Sequence, residues 1–138
     1  QGVSSAASDV YKRQFIKLPL FLEELKLSHS NGGFFKLLHN LLQFDLLILD
    51  DFGVTSIDDS QRHDLLTIID DRYRIKSTII TSQLAVKSWH SYLGEPTLAD
   101  AILDRILSQS YRIELKGKSL RWTNSPTQET DGNVMINE

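Results

Sequence analysis

Cysteine is absent from the 138 residues of this sequence. Its absence excludes a disulfide scaffold and thiolate metal sites, and it fits a reducing compartment. No apolar run approaches the roughly 20 residues that span a bilayer, so we expect no membrane association. Excess basic charge is also lacking, because the formal net charge is −3. Any contact with nucleic acid must therefore be local, or be built by several copies of the chain.

The rest of the composition is that of a globular protein, with 41% hydrophobic and 24% charged residues. The length suits one domain with a core but is short for a complete nucleotide-hydrolysing domain. Residues 1–14 are small and polar and are similar to translated adaptor sequence. We interpret them as a non-native leader and expect that the gene continued upstream. Residues 123–138 lose the apolar pattern, which predicts a flexible tail.

Strand-like and helix-like segments alternate between these two ends. Apolar and β-branched runs predict strands at residues 15–17, 46–50, 77–81 and 111–115, the last as an edge strand. Helical spacing predicts helices at residues 19–27, 34–42, 60–74 and 98–109, with a loop at 28–33 and a loop or short helix at 89–93. Asp58 or Ser60 can cap the third helix, and Thr97 the fourth. This alternation predicts an α/β fold with a mainly parallel sheet.

The chain is organised around the segment Leu46-Leu47-Ile48-Leu49-Asp50-Asp51-Phe52-Gly53. Four large apolar residues in a row predict a central strand that is covered on both faces. Asp50 and Asp51 end this strand at the edge where ligands bind in open α/β sheets. Magnesium with a nucleotide triphosphate fits such acids, because Mg²⁺ takes few carboxylates and keeps water and phosphate oxygens. The pattern is typical of a Walker B element, although a strand running into an acidic turn has the same residues.

Arg105 lies within the apolar arc of the fourth predicted helix, among Leu98, Ala101, Ile102 and Ile106. Either its stem packs on the core while the guanidinium reaches solvent, or it is delivered to an anionic ligand on a neighbouring subunit. Arg72 has the same placement on the third helix. The acids of that helix lie outside its apolar arc: Asp64, Asp70 and Asp71.

Polar residues follow the strand predicted at 77–81, which we expect to neighbour the Asp50 strand. These are Thr81, Ser82 and Gln83. A polar side chain at this edge of the sheet can position an attacking water beside a phosphate. Ordinary capping of the strand end remains the alternative.

Several other candidate motifs fail on spacing. No G-x-x-x-x-G-K-S/T loop occurs, and Gly117-Lys118-Ser119 has Arg112 where the first glycine is needed. The four histidines lack the paired spacing of a zinc site and are expected to be structural or solvent-facing: His29, His39, His63 and His90. Three basic residues can contact DNA or can simply be solvated: Lys26, Lys36 and Arg62.

Nearly all of residues 15–122 resembles the IstB family of ATP-binding transposition helpers, relatives of the helicase loader DnaC within the AAA+ ATPases. The matching segments are Leu-Leu-Ile-Leu-Asp-Asp-Phe-Gly, Asp-Asp-Arg-Tyr, Ser-Thr-Ile-Ile-Thr-Ser-Gln, Ala-Asp-Ala-Ile-Leu-Asp-Arg and Leu-Lys-Gly-Lys-Ser-Leu-Arg. Their order and spacing agree across the set. The resemblance implies a partial AAA+ domain at residues 15–122, an amino-terminally truncated three-layer P-loop NTPase core.

The resemblance also implies roles for single residues. Asp50 would hold Mg²⁺ with ATP, and Asp51 would orient or activate the attacking water. Ser82 and Gln83, with Thr81, would form the sensor 1 region. Arg105 would be the arginine finger that reaches a neighbour's ATP, and Arg121 would have a sensor 2 type role in binding the nucleotide.

For function, the resemblance implies a bacterial cytoplasmic protein whose ATP binding drives self-assembly on DNA and helps direct a cognate transposase. The phosphate-binding loop is missing from the sequence, so we expect this chain alone to bind and hydrolyse ATP poorly. We also expect a sheet strand to be missing beside the Asp50 strand. The alternatives are a DnaC-type helicase loader and a non-catalytic interaction domain or pseudogene product.

Overall fold

The computed structural model of the chain describes residues 11–120. Three parallel strands form one sheet in the order β1-β2-β3, with β1 at Arg13–Lys17, β2 at Leu46–Asp50 and β3 at Ser77–Ile80. The helices are α1 at Leu18–Asn31, α2 at Phe34–Leu42, α3 at Asp59–Arg72, α4 at Trp89–Leu93 and α5 at Pro96–Leu107, with a short 3₁₀ turn at Val86–Ser88. The predicted α/β fold with a parallel sheet is confirmed. β1 begins two residues before the predicted strand, inside the segment interpreted as a leader.

The strand that carries Asp50 is the middle strand of the sheet. β1 pairs with one edge of β2 and β3 pairs with the other. The prediction that a strand is missing beside the Asp50 strand is therefore wrong. Within residues 11–120, the unpaired edges of the sheet belong to β1 and β3.

The two faces of the sheet are covered unequally. Leu47 and Leu49 are fully buried in a core shared with all five helices. On the opposite face, Ile48 lies in register between Phe15 and Ile79, whose side chains are 54% and 46% exposed. Of the predicted three layers, residues 11–120 thus contain the sheet and one helical layer.

Helix α1 extends further than predicted. Its first turn contains Pro19. Proline is favoured there because an N–H in the first turn would have no carbonyl partner within the helix. The segment predicted as a loop at 28–33 is helical up to Asn31, and the Ser28 hydroxyl donates to the Leu25 carbonyl at 2.6 Å. The helix ends at Gly32, whose left-handed backbone, with φ of 76°, is a common C-terminal stop.

Asp58 is the N-cap of α3. Its carboxylate accepts from the Gln61 N–H at 2.8 Å, and Gln61 Oε1 accepts from the Asp58 N–H at 3.1 Å, which completes a capping box. Lys26 Nζ donates to the same carboxylate at 2.5 Å, and this bond lowers the pKa of Asp58. Of the two predicted caps, the structure therefore uses Asp58.

Helix α5 begins two residues earlier than the predicted Thr97 cap allows. The Glu95 carboxylate accepts from the Leu98 N–H at 2.6 Å, and Pro96 occupies the first turn. Proline is preorganised for that position, so the helix starts before Thr97. The cap prediction was wrong because it gave weight to the hydroxyl and not to the proline.

The edge strand predicted at residues 111–115 is also wrong. This segment is irregular, and Tyr111, Ile113 and Leu115 are 100%, 85% and 92% exposed. Alternation of apolar and polar residues makes a strand only where a neighbouring strand supplies the hydrogen bonds. Within residues 11–120, none pairs with this segment.

Arg72 is a structural residue and not a phosphate ligand. It is 2% exposed, and its guanidinium donates to the carbonyls of Leu41, Phe44 and Ser77 at 2.7, 3.0 and 2.7 Å. Its Nε donates to the Thr78 hydroxyl at 3.2 Å. Burial lowers the pKa of Arg72. The side chain ties the ends of α2 and α3 to the start of β3.

Two further charged residues of α3 are buried against expectation. Asp64, outside the apolar arc, is 4% exposed and accepts from His29 Nε2 at 2.9 Å, which links α1 to α3. Arg62 is 8% exposed and donates to the Leu93 carbonyl and to Asp59. Arg62 is therefore neither a DNA contact nor a solvated surface charge.

Candidate functional site

The candidate site begins at Asp50, the last residue of β2. The Thr81 hydroxyl, just past β3, donates to Asp50 Oδ1 at 2.5 Å. Among residues 11–120 no group donates to Asp50 Oδ2, so that oxygen can accept a ligand. Lys17 is the register partner of Asp50 on β1, which puts one cation beside the acids at this end of the sheet.

Asp51 does not continue the strand. Its φ is 64°, a left-handed conformation that Asp and Asn tolerate better than most residues. Its N–H donates to the Thr81 hydroxyl oxygen at 3.3 Å, while its carboxylate has no hydrogen bond or ion pair within the described part of the chain. The alternation of side chains along β2 therefore stops at Asp50. The two acids differ because one is held by a hydroxyl and the other is free.

Phe52 fixes the turn that follows the acids. Its N–H donates to the Thr81 carbonyl at 2.9 Å, and its buried ring packs on Trp89 and Tyr92 at centroid distances of 4.5 and 5.3 Å. Trp89 Nε1 in turn donates to the Leu84 carbonyl at 2.9 Å. Burial raises the pKa of Tyr92. The backbone that carries both acids is thus anchored on one side by β3 and on the other by α4.

Gly53 sets the geometry of this turn, and its replacement is expected to destabilise the protein. Its φ is 86°, and an added Cβ would lie 3.0 Å from Leu84 Cδ2 and 3.2 Å from Leu84 Cβ. Gly53→Ala should lower the free energy of unfolding by about 1–3 kcal/mol, through backbone strain and contact with Leu84. Gly32→Ala is the matched control, because Gly32 also has a positive φ, of 76°. A Cβ added there would have no atom of the described residues within 4 Å, apart from its neighbours in the chain. Equal losses in urea unfolding would contradict the contact with Leu84.

The residues after β3 divide between the turn and a groove. Ser82 Oγ donates to the Phe52 carbonyl at 2.6 Å and accepts from the Leu84 N–H at 3.0 Å, so its hydroxyl is engaged in the turn. Gln83 is exposed, and its side chain makes no hydrogen bond within residues 11–120. Of the three polar residues predicted here, Thr81 is the one that contacts an acid.

Arg105 is separate from the acids. It borders a groove of about 1270 Å³ along the unpaired edge of β3, which Thr81, Ser82 and Gln83 also line and which Asp50 does not. Its Nη1 donates to the Ala101 carbonyl at 2.9 Å and its Nε donates to Asp70.

The structure therefore brings together Asp50, Asp51, Thr81 and Ser82, and leaves Arg105 engaged with its own protomer. Arg121, the predicted sensor 2 residue, lies outside the described residues.

The arrangement fits a magnesium ion shared with phosphate. Mg²⁺ is bound in such sites by one or two carboxylates, and water and phosphate oxygens fill the other positions. Asp50 offers one free oxygen, and Asp51 offers an uncommitted carboxylate. Among residues 11–120, no group of three or more His, Cys, Asp or Glu side chains could hold a metal ion.

Sequence reasoning missed two contacts that involve this site. The Thr81 hydroxyl was one of three candidates, and only the register of β2 with β3 brings it to Asp50. The partner of Arg105, Asp70, is on another helix 35 residues away, so no local pattern could identify it.

No helix within the described residues is long and apolar enough to cross a membrane.

Comparison with known sequences gives consistent matches. The family model described as IstB-like ATP binding protein matches residues 3–128. A protein of Sinorhizobium fredii, named as an insertion sequence ATP-binding protein, is 48% identical over 105 residues, which are 76% of this chain and 43% of that protein. A similarly named protein of Bacillus thuringiensis is 32% identical over 127 residues, 92% of this chain and 51% of its own length. The chain spans about half the length of the relatives it matches.

Two solved structures share the fold. The crystal structure of the DnaC helicase loader aligns with a TM-score of 0.52 and 30% sequence identity, covering 68% of this chain and 57% of that chain. A DNA replication initiation factor aligns with a TM-score of 0.56 over 75% of this chain and 32% of its own. Its identity is 17%, so it shows the fold alone.

Proposed function

The chain belongs to the IstB-like ATP-binding protein family, and from this we propose that the full-length protein binds ATP with Mg²⁺ and couples its hydrolysis to DNA transposition. The observation that carries the proposal is the pair of unequal carboxylates at the end of the central strand. Asp50 is held by the Thr81 hydroxyl, and beside it the Asp51 carboxylate makes no hydrogen bond or ion pair with residues 11–120. That division suits one metal ligand and one residue that acts on water.

Each residue of the site has a proposed role. The free oxygen of Asp50 holds Mg²⁺, which when bound neutralises phosphate charge. Asp51 orients the attacking water and accepts its proton. Thr81 keeps the Asp50 carboxylate in one orientation, and Ser82 holds the turn. Gln83, which lines the groove beside β3, is assigned to the sensor 1 region from the family motif.

Two arginines complete the proposed machinery. Arg105 acts as an arginine finger on the nucleotide of a neighbouring protomer, where its fixed charge stabilises the transferring phosphoryl group. Arg121 binds the nucleotide in the role of a sensor 2 residue. Both assignments rest on the family motifs.

Hydrolysis is proposed for the full-length protein and not for this chain by itself. The sequence holds no G-x-x-x-x-G-K-S/T loop, so nothing in it cradles the β- and γ-phosphates. The relatives are about twice as long, which leaves room for such a loop elsewhere in the protein.

The proposed partners are DNA, further copies of the protein and a transposase, in the bacterial cytoplasm. The names of the relatives refer to insertion sequences, which supports transposition. The net charge of −3 favours DNA contact through an assembly and not through one protomer. Loading of a replicative helicase is the second candidate, supported by the similarity to the DnaC helicase loader.

The test is nucleotide binding and turnover by the full-length protein. We expect binding of a fluorescent ATP analogue, and release of phosphate that requires Mg²⁺ and increases with DNA. The full-length protein is then added to a strand-transfer reaction of the cognate transposase and, separately, to a helicase-loading reaction. Stimulation of the first supports the transposition helper, and stimulation of the second supports the helicase loader. Protein that neither binds ATP nor hydrolyses it with DNA would leave the non-catalytic interaction domain as the function.

A further inference from the structure

Arg105 is bound on both sides of its guanidinium by its own protomer. Nε donates to the carboxylate of Asp70 on α3, and Nη1 donates to the Ala101 carbonyl at 2.9 Å. Arginine binds a phosphate most strongly through two parallel N–H groups. The side-on pair includes Nε, so the contact with Asp70 occupies one of its two donors, whereas Nη1 carries a second N–H besides the one given to Ala101. Arg105 can therefore offer its side-on pair to an anion only when the contact with Asp70 opens.

The contact with Asp70 is the one that can open. The side chains of Arg105 and Asp70 are 29% and 54% exposed, so water can replace either partner. Exposed ion pairs of this kind shift an equilibrium by up to about fivefold. The Ala101 carbonyl, in contrast, lies one turn away on the same helix and moves with Arg105.

We propose that Asp70 is a positioning residue that holds Arg105 against its own protomer until the nucleotide phosphate of a neighbouring copy takes its place. The inference rests on the proposed role of Arg105 as an arginine finger. Arg105 then becomes available mainly in an assembly, where a neighbour's nucleotide lies within its reach. The nucleotide phosphate carries more negative charge than the Asp70 carboxylate, so it competes with that carboxylate for the guanidinium. Removing the charge of Asp70 should make the arginine available at lower protein concentration.

The experiment mixes two variants of the full-length protein. Arg105→Ala supplies an intact acid pair without the arginine, and Asp51→Asn supplies Arg105 but cannot hydrolyse ATP. ATP turnover of the mixture is measured as the Asp51→Asn protein is titrated. We expect the double variant Asp51→Asn with Asp70→Asn to reach half-maximal turnover at up to about fivefold lower concentration than Asp51→Asn alone.

Asp71→Asn in the same background is the matched control. Asp71 is the next residue of α3, is exposed and makes no ion pair within residues 11–120, so its loss should leave the half-maximal concentration unchanged. An Asp70→Asn donor that needs the same or a higher concentration than the control would overturn the inference. A purely structural ion pair would instead lower the melting temperature without moving this concentration downwards.

Absence of turnover with every donor would have a different meaning. It would show that Arg105 does not act between protomers, which removes the arginine finger and the role of Asp70 together. ATP binding by the single variants would still report separately on the nucleotide site.

The ion pair itself can be checked by NMR in the full-length protein with ¹⁵N-labelled arginine. Arg105→Lys identifies the Nε–H signal of Arg105, and Asp70→Asn should shift that signal while Asp71→Asn should not. An unmoved signal would show that the ion pair does not form in solution, which overturns the proposal.

Discussion

Asp51→Asn is expected to reduce ATP turnover by the full-length protein by about 10²–10⁴-fold, because the amide cannot accept a proton from the attacking water. ATP affinity should be unchanged, since Asp50 remains to hold Mg²⁺. Asn is the suitable replacement because it has the same shape and tolerates the left-handed backbone that residue 51 adopts, with φ of 64°. Alanine would add backbone strain to the loss of the carboxylate.

Turnover is measured as DNA-stimulated phosphate release, and affinity by titration with a fluorescent ATP analogue. Asp71→Asn removes the same charge from an exposed position on α3 and serves as the control. Turnover that stays within a few-fold of the unmodified protein would remove Asp51 from its proposed role. A parallel loss of ATP binding would indicate that Asp51 helps to hold the nucleotide and does not act on water.

The largest effect on stability is expected at Arg72. In Arg72→Leu, the carbonyls of Leu41, Phe44 and Ser77 lose the guanidinium donors, while the Leu41 carbonyl keeps the Phe44 N–H at 3.3 Å. A buried carbonyl without a partner costs about 1–3 kcal/mol, so we expect the free energy of unfolding to fall by about 2–4 kcal/mol. That is a large share of the 5–15 kcal/mol typical of a domain, so the urea midpoint should fall clearly.

Urea unfolding of Arg72→Leu, Arg72→Lys and Arg112→Leu measures this effect. Lysine keeps the charge but concentrates its three donors on one atom, so it cannot serve carbonyls from three segments and should also be destabilising. The Arg112 side chain is exposed, in the irregular segment at residues 111–115, so its loss should change stability little. Similar unfolding midpoints for Arg72→Leu and Arg112→Leu would contradict the structural role of Arg72.

The contrast between Arg72 and Arg105 shows what the helical pattern could and could not reveal. Both lie within the apolar arc of their helix, so the helical pattern left the same two alternatives open for each. Which one applies depends on groups from distant parts of the chain, namely three carbonyls for Arg72 and Asp70 for Arg105. A helical wheel gives the direction of a side chain but not the atoms it meets.

The strands show the same limit. The central position of β2 was predicted correctly from its four apolar residues in a row, but the covering of both faces that they predicted is found on one face only within residues 11–120. Residues 111–115 alternate apolar and polar side chains as a strand does, yet they form no strand. Strand formation depends on hydrogen bonds from a neighbouring strand as well as on the segment's own pattern. The position of the two acids at this end of the sheet could be predicted from the apolar run that precedes them. The left-handed turn at Asp51 and the bond from Thr81 could not, because both depend on how β2 and β3 are aligned.

The left-handed backbone at Asp51 has a consequence for inheritance. Besides glycine, the residues that tolerate this conformation best are Asp, Asn and His, and of these only Asp is an anion. Glutamate would retain the charge but not this preference, so an exchange between the two acids would require the turn to change as well. Asparagine, by contrast, fits the turn and would yield copies that fold, bind nucleotide and join assemblies without turning over. Because each such copy would still carry the Arg105 proposed to act on its neighbour's nucleotide, a cell with both gene copies should lose activity only in proportion to the altered protein.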